Sequence, residues 1–132
     1  MDEILKFLQE NPTYYLSTVD EEGNPQCRPF GTIALIDGDL CIQTGKAKAC
    51  YQQMVAHPRV SICTMGKRGE WLRLEADAVP DDSVATCEAM LSNYESLRKT
   101  YAPGDGNCVV IRLRNVRATI SSFTAEPKEY EF

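Results

Sequence analysis

A threonine and two lysines at the junction of a predicted strand and a predicted helix are the residues best suited to chemistry. The apolar run from Leu40 stops at Thr44-Gly45, and Lys46 and Lys48 follow at once. A helical pattern begins there and ends at His57-Pro58. The hydroxyl and the free amides of a helix start donate hydrogen bonds, and the helix dipole favours negative charge. Because cations there oppose the dipole unless an anion compensates, the pattern predicts an anion site, with phosphate as the expected group.

Motifs for other chemistry fail at specific positions. A Walker A interpretation of Gly45-Lys46 needs glycine where Leu40 stands and serine or threonine where Ala47 stands. Gly104-x-Gly106 precedes a strand pattern, whereas a dinucleotide fingerprint opens a helix. The only histidine, His57, stands in a pair typical of a helix end, which disfavours Ser-His or Cys-His catalysis. We therefore predict no catalytic side chain and no metal site.

Charge and composition restrict the class of ligand. The chain has 132 residues and a net charge of −5, which is typical of one globular domain and disfavours non-specific nucleic-acid binding. Residues 41–75 nevertheless carry six lysines and arginines against two glutamates, a local charge of +4 that leaves −9 on the remainder. A basic centre on an acidic protein fits a small anionic ligand better than a polyanion.

Location is predicted from what the sequence lacks. No apolar run approaches the roughly 20 residues of a membrane span, and the N-terminus carries acids where a signal peptide is basic. No two of the six cysteines lie within eight residues of each other, so zinc spacing is absent. We expect a cytoplasmic protein without membrane contact, in which reduced cysteines, Cys41, Cys63 and Cys87 among them, act as small buried hydrophobes.

Hydrophobic patterning predicts about eight antiparallel strands in meander order, with short helices inserted. The expected class is mainly β (α+β): one domain over residues 1–132, folded as a split β-barrel with short flanking helices. Helices are expected at the N-terminus, over about Ala47–Ala56, and across residues 81–101. The last two strands are predicted at Cys108–Leu113 and Arg117–Phe123. The tail after Glu126 is expected to be a loose end or part of an interface.

Several segments, in this order and spacing, resemble the pyridoxamine 5′-phosphate oxidase-like family of FMN-binding split barrels. They are Tyr15–Asp20 with Gly23-Asn24-Pro25, Cys27–Phe30, Gln43–Lys48 with Tyr51 and Gln52, His57–Val60, Glu70–Leu74 and Phe123–Lys128. The last of these segments looks like the tail of short single-domain members, among them nitroimidazole-resistance reductases. Two lysines stand where the oxidases carry a serine-arginine-lysine cluster, and the oxidases' C-terminal substrate-binding extension is absent. The resemblance therefore implies FMN but not pyridoxamine phosphate as the substrate.

The resemblance also implies the site. It assigns phosphate contacts to Thr44, Lys46 and Lys48, in a motif that includes Tyr51, and flavin-ring contacts to Arg28, Pro29 and Phe30. Gln43 is placed near the ring or the ribityl chain. Because the family binds FMN at a homodimer interface, Trp71 or the tail is expected to reach the partner's flavin.

An FMN-dependent oxidoreductase acting on a small molecule is the expected function, since a flavin supplies redox chemistry that needs few protein acids or bases. Two alternatives stay open. One is a non-enzymatic flavin carrier or electron-transfer module, and the other is a split barrel that binds heme or a deazaflavin.

Overall fold

The computed structural model describes residues 1–132, which form eight strands, three α-helices and a short 3₁₀ helix. The elements in chain order are α1 (Asp2–Glu10), β1 (Tyr14–Val19), β2 (Pro25–Phe30), β3 (Ala34–Ile36), β4 (Asp39–Gly45), α2 (Ala49–Ala56), β5 (Arg59–Met65), β6 (Trp71–Asp81), α3 (Val84–Asn93), the 3₁₀ helix (Glu95–Lys99), β7 (Cys108–Ser121) and β8 (Lys128–Glu131). The predicted mainly β class is confirmed. None of the helices combines the length and the apolar character that crossing a bilayer requires.

All eight strands form one antiparallel sheet in the order β2-β1-β5-β6-β7-β4-β3, with β8 also paired to β7. On one side of β7 its first half pairs with β4 and its second half with β8, while β6 runs along the other side. The prediction of two strands here was wrong. Asn115 takes a φ of 50° where the register with β6 shifts, and the strand continues beyond it. The tail is not a loose end, because it contains β8.

A short link forces the sheet to curl. Phe30 ends β2 at one edge of the sheet, and Ala34 begins β3 at the other edge. Four residue steps span at most about 14 Å, so the two edges lie close together. Thr32, in the link, holds the two edges together. Its carbonyl accepts a hydrogen bond from Tyr14 Oη at 2.5 Å, and its hydroxyl accepts one from the backbone amide of Gln43 at 2.9 Å. This curled sheet is the predicted split β-barrel.

Two apolar clusters cover the two faces of β4. The main cluster fills the barrel and includes buried residues of α1 and α2, and the second lies between α3 and strands β3, β4 and β7. β4 and the first half of β7 are buried at nearly every position, without the alternation of a half-exposed strand, because both of their faces are covered. All six cysteines are free, and four are buried. The expected burial of Cys63 was wrong, because it points from β5 to the exposed face of the sheet, as Cys27 does from β2.

A buried arginine connects the second cluster to the β3–β4 hairpin. Arg112 donates to carboxylates of Asp81 at 2.9 Å and of Asp39 and Asp37 at 3.2 Å. Partial burial alone would raise the pKa of Asp81, but hydrogen bonds from the Ser83 amide and from Arg112 lower it to about 2. The hairpin, the end of β6 and the start of α3 are thus fixed around one guanidinium group.

Candidate functional site

The turn between β4 and α2 (residues 45–48, here called the lysine turn) is held by an asparagine far away in the sequence. Asn107 accepts hydrogen bonds from the Lys46 amide through its carbonyl, at 2.8 Å, and from the Ala47 amide through its side chain, at 3.0 Å. A Cβ on Gly45 would lie 2.9 Å from Tyr101 Oη and 3.1 Å from Asn107 Nδ2. Glycine is therefore needed for this close approach, and the turn has a fixed backbone.

The two lysines of the turn have different environments. Lys46 Nζ lies 2.5 Å from Asp82 Oδ2, and this hydrogen bond raises the pKa of Lys46 and lowers that of Asp82. Lys48 is the N-cap residue of α2, and its exposed side chain has no hydrogen bond or ion pair. The helix also lacks an acid in its first turn, so Lys48 and the helix start present uncompensated positive charge.

Neighbouring positions on β4 point to opposite faces. Thr44 faces the main cluster and is buried, with its hydroxyl 3.5 Å from Cys50 Sγ in the first turn of α2. Gln43 faces the second cluster, where its Nε2 donates to the Thr44 carbonyl at 2.8 Å and lies 3.8 Å from Cys108 Sγ. The structure therefore brings Thr44 to the underside of α2 and separates Gln43 from it.

Arg28 reaches α2 from the other edge of the sheet. Its Nη1 donates to Thr18 Oγ1 at 2.6 Å, and its Nη2 donates to Gln53 Oε1 at 3.1 Å. Thr18 Oγ1 also donates to the same Gln53 oxygen, at 2.5 Å. All these partners are neutral. Among the lysines and arginines that are at least half-buried, Arg28 alone has no carboxylate partner, since Lys46 and Arg112 are both ion-paired.

The other predicted ring contacts divide between the two faces of β2. Phe30 shares the inner face with Arg28 and packs against the main cluster, its ring centroid 6.1 Å from that of Tyr14. Pro29 is opposite Tyr15 on the outer face. Tyr51 of α2 is half-buried against the main cluster, and its amide donates to the Lys48 carbonyl. Arg28 and Phe30 can thus face one ligand, whereas the Pro29 ring faces away from it.

Trp71 lies on the outer face of the sheet, away from the lysine turn. It lines a cleft of ≈ 530 Å³ that also includes Arg73, Thr119, Glu129 and Tyr130, and no residue of the lysine turn. Arg73 has an exposed guanidinium group without an ion pair. A cleft of this size is in the range of small-molecule sites.

Around this cleft the outer face exposes apolar groups. Strand pairing places Tyr15 opposite Cys63, and Met65 opposite Trp71. The exposed fractions are 49% for Tyr15, 60% for Met65 and 95% for Phe123, whose ring lies 5.2 Å from that of Trp71. These exposed apolar side chains lie on neighbouring strands and at the adjoining end of β7, so they form one candidate contact surface.

Most of the predicted residues therefore fall into two groups. The first lies in or beside α2 and consists of Arg28, Thr44, Lys46, Lys48 and Tyr51, with Phe30 next to Arg28 on β2. Trp71 and Pro29 belong to the outer face, and Gln43 belongs to neither group because it faces the second cluster. Three residues that contact the first group were missed: Gln53, Asp82 and Asn107. For Asp82 and Asn107 no local pattern exists, because their contacts to the lysine turn span 36 and 60 residues of sequence.

The model of the pyridoxamine 5′-phosphate oxidase family matches residues 1–120. The chain belongs to this family. A solved NimC/NimA family protein from Clostridium acetobutylicum is 34% identical, with a TM-score of 0.95 over 100% of this chain and 92% of that one. No match was found among curated proteins.

Solved structures of lower sequence identity share the fold alone. An FMN-binding protein from Nostoc punctiforme, related to pyridoxamine 5′-phosphate oxidase, is 15% identical with a TM-score of 0.65, over 99% of this chain and 95% of that one. A heme-binding protein from Mycobacterium smegmatis is 14% identical with a TM-score of 0.71, over 98% of this chain and 56% of that one. The same architecture thus occurs in proteins that hold different prosthetic groups.

Proposed function

We propose that this protein binds FMN and acts as an FMN-dependent oxidoreductase on a small molecule in the cytoplasm. The observation that carries the proposal is the half-buried Arg28, which has only neutral partners, beside the helix whose start carries Lys48. A partly desolvated cation is costly without an anion, so this arrangement is suited to an anionic ligand. Family membership and the FMN-binding relative make FMN the ligand that we propose.

The chain's own residues suit the parts of this cofactor. Lys48 and the first turn of α2 would hold the phosphate, with Lys46 beside them, and Gly45 lets the turn pack closely enough to keep this geometry. Gln53 orients the Arg28 guanidinium group, which would donate to an electronegative edge of the ring. Phe30 would pack against the ring from the same face of β2. Bound FMN would supply hydride or electron transfer, so no catalytic acid or base needs to be assigned.

We further propose a homodimer formed through the outer face. Its exposed Tyr15, Met65 and Phe123 would become buried, as is usual for the apolar centre of an interface. In a two-fold arrangement Trp71 and the cleft beside it would meet the partner's cofactor, and each contact would occur twice. This would join the two groups of site residues, which lie apart in a single chain.

A direct test compares the Lys46→Ala/Lys48→Ala variant with the matched variant Lys67→Ala/Arg68→Ala, which removes the same charge from the β5–β6 turn. Charge-assisted hydrogen bonds contribute about 1.5–3 kcal/mol each, so the first variant should bind FMN on the order of a hundredfold more weakly. The second variant should bind like the unaltered protein. Flavin fluorescence titration measures both, and equal FMN affinity in the two variants would contradict the proposal.

Absorption spectra separate the alternatives. Paired flavin bands in the purified protein support FMN, whereas a Soret band would support heme in its place. Bleaching of the flavin by NADH or NADPH, followed by recovery of the bands on adding a small-molecule acceptor, would support an enzyme. A flavin that exchanges electrons only with another protein would support the carrier function.

A further inference from the structure

An aspartate from another part of the chain forms an ion pair with one of the two lysines proposed to bind phosphate. Asp82, directly before the Ser83 N-cap of α3, places its carboxylate 2.5 Å from Lys46 Nζ. Lys48, two residues further along, has no such partner. The positive charge of Lys46 is therefore already paired with a carboxylate, whereas that of Lys48 is open to a ligand.

The backbone on both sides of this ion pair is fixed. Asn107 binds the amides of Lys46 and Ala47, as described above. Next to Asp82, the Asp81 carboxylate accepts hydrogen bonds from the Ser83 amide at 3.0 Å and from Arg112 at 2.9 Å. Both backbone segments are held in place, so Asp82 and Lys46 remain within reach of each other while their side chains stay free to exchange partners.

We propose that Asp82 competes with the cofactor's phosphate for Lys46 and thereby determines how strongly the site prefers a phosphorylated flavin over an unphosphorylated one. The inference rests on the proposed FMN function. A phosphate that binds to Lys46 must first displace the Asp82 carboxylate from it. Asp82 therefore weakens the binding of a phosphate and leaves the binding of the flavin ring unchanged.

The exposure of the Lys46–Asp82 ion pair determines how much it weakens phosphate binding. The side chain of Lys46 is 30% exposed and that of Asp82 is 62% exposed, so their interaction is that of a partly solvated ion pair. Its removal should change affinity by about two- to fivefold. We therefore expect Asp82→Asn, which keeps the shape of the side chain, to bind FMN about two- to fivefold more tightly.

The experiment titrates the full-length protein with FMN and with riboflavin, which lacks the phosphate. Asp82→Asn should tighten FMN binding and leave riboflavin binding unchanged. Glu21→Gln, which removes one negative charge from the β1–β2 turn, should change neither. In a Lys46→Ala background Asp82→Asn should have at most half of its effect on the FMN affinity, because the competition for Lys46 no longer exists.

Each outcome decides one question. If the unaltered protein binds neither flavin, the proposed function fails before the role of Asp82 is reached. If FMN binds but Asp82→Asn leaves the ratio of FMN to riboflavin affinity unchanged, the proposed competition is wrong while the FMN function stands. An undiminished effect of Asp82→Asn in the Lys46→Ala background would also overturn it, since Asp82 would then act on the phosphate without Lys46.

Discussion

Arg28→Met separates a cofactor-binding role of Arg28 from a structural one. A cofactor-binding role predicts a large loss of FMN affinity with little change in stability, and a structural role predicts a large loss of stability. Of the hydrogen bonds that the Arg28 side chain donates, only those to Thr18 Oγ1 and Gln53 Oε1 are 3.1 Å or shorter. After the substitution Thr18 still donates to Gln53, so no buried polar atom loses its last partner. The loss of two bonds is offset by relief of the desolvation of an unpaired cation. The free energy of unfolding of the cofactor-free protein should therefore change by no more than about 1 kcal/mol.

FMN affinity should respond far more strongly. The loss of one charge-assisted hydrogen bond costs about 1.5–3 kcal/mol, which corresponds to about a 10- to 150-fold rise in Kd. Arg28→Lys keeps the charge and should recover part of the affinity, although it lacks the planar donor pair. Arg68→Met, at an exposed arginine of the β5–β6 turn, is the matched control and should behave like the unaltered protein.

Two measurements decide the result: flavin fluorescence titration for Kd, and urea denaturation of the cofactor-free protein for stability. FMN binding by Arg28→Met that equals that of the unaltered protein would refute the assignment. A loss of several kcal/mol in stability would instead show that Arg28 is part of the architecture.

Two further predictions concern the buried arginine and the outer face. Arg112→Met leaves three carboxylates without their shared partner and should lower the free energy of unfolding at pH 7 by about 3 kcal/mol, as measured by urea denaturation. Because the pKa of Asp81 is lowered to about 2, the unaltered protein should lose stability as pH falls from about 4 to about 2. An equal loss of stability in Arg112→Met over this pH range would contradict this reasoning. Met65→Glu should give monomers that release FMN at concentrations where the Leu35→Glu control stays dimeric, as judged by sedimentation. A Met65→Glu variant that stays dimeric would disprove the interface, and a monomer with full flavin occupancy would show that the partner does not complete the site.

Local signals in the sequence were sufficient for most of the fold. The pair Asp37-Gly38 between two strand patterns is typical of a tight hairpin, and both residues take positive φ, of 50° and 83°, as that turn requires. Where the chain departs from a simple pattern, prediction failed. Arg114-Asn115 suggested a break in the last strands, but a register shift against β6 accommodates the extra residue. The strand β8 was missed because the alternating glutamates of Lys128–Glu131 carry almost no apolar signal.

The sequence offered the residues of the candidate site but not the contacts between them. The strand period of two already separates Gln43 from Thr44, so their opposite faces were available from the sequence. The contact of Lys46 with Asp82 depends on how β6 and α3 pack, which no local pattern encodes. Arg112 did leave a signal, since an arginine within the apolar run Cys108–Leu113 needs carboxylate partners, and aspartates stand at both neighbouring turns.

The link through Thr32 also has a consequence for pairing with other chains. β2 and β3 are the two end strands of the sheet, and free strand edges invite pairing with other chains. Here the covalent chain brings the two end strands to the same place. The backbone amide of Gln43, just beyond the last β3–β4 pair, donates to the Thr32 hydroxyl and is therefore not available to a foreign strand. A barrel that is not closed by a continuous ladder thus still protects part of its edges through three residues of connection. In the end strand β2, Pro25 and Pro29 have no amide hydrogen to offer a foreign strand and add to this protection.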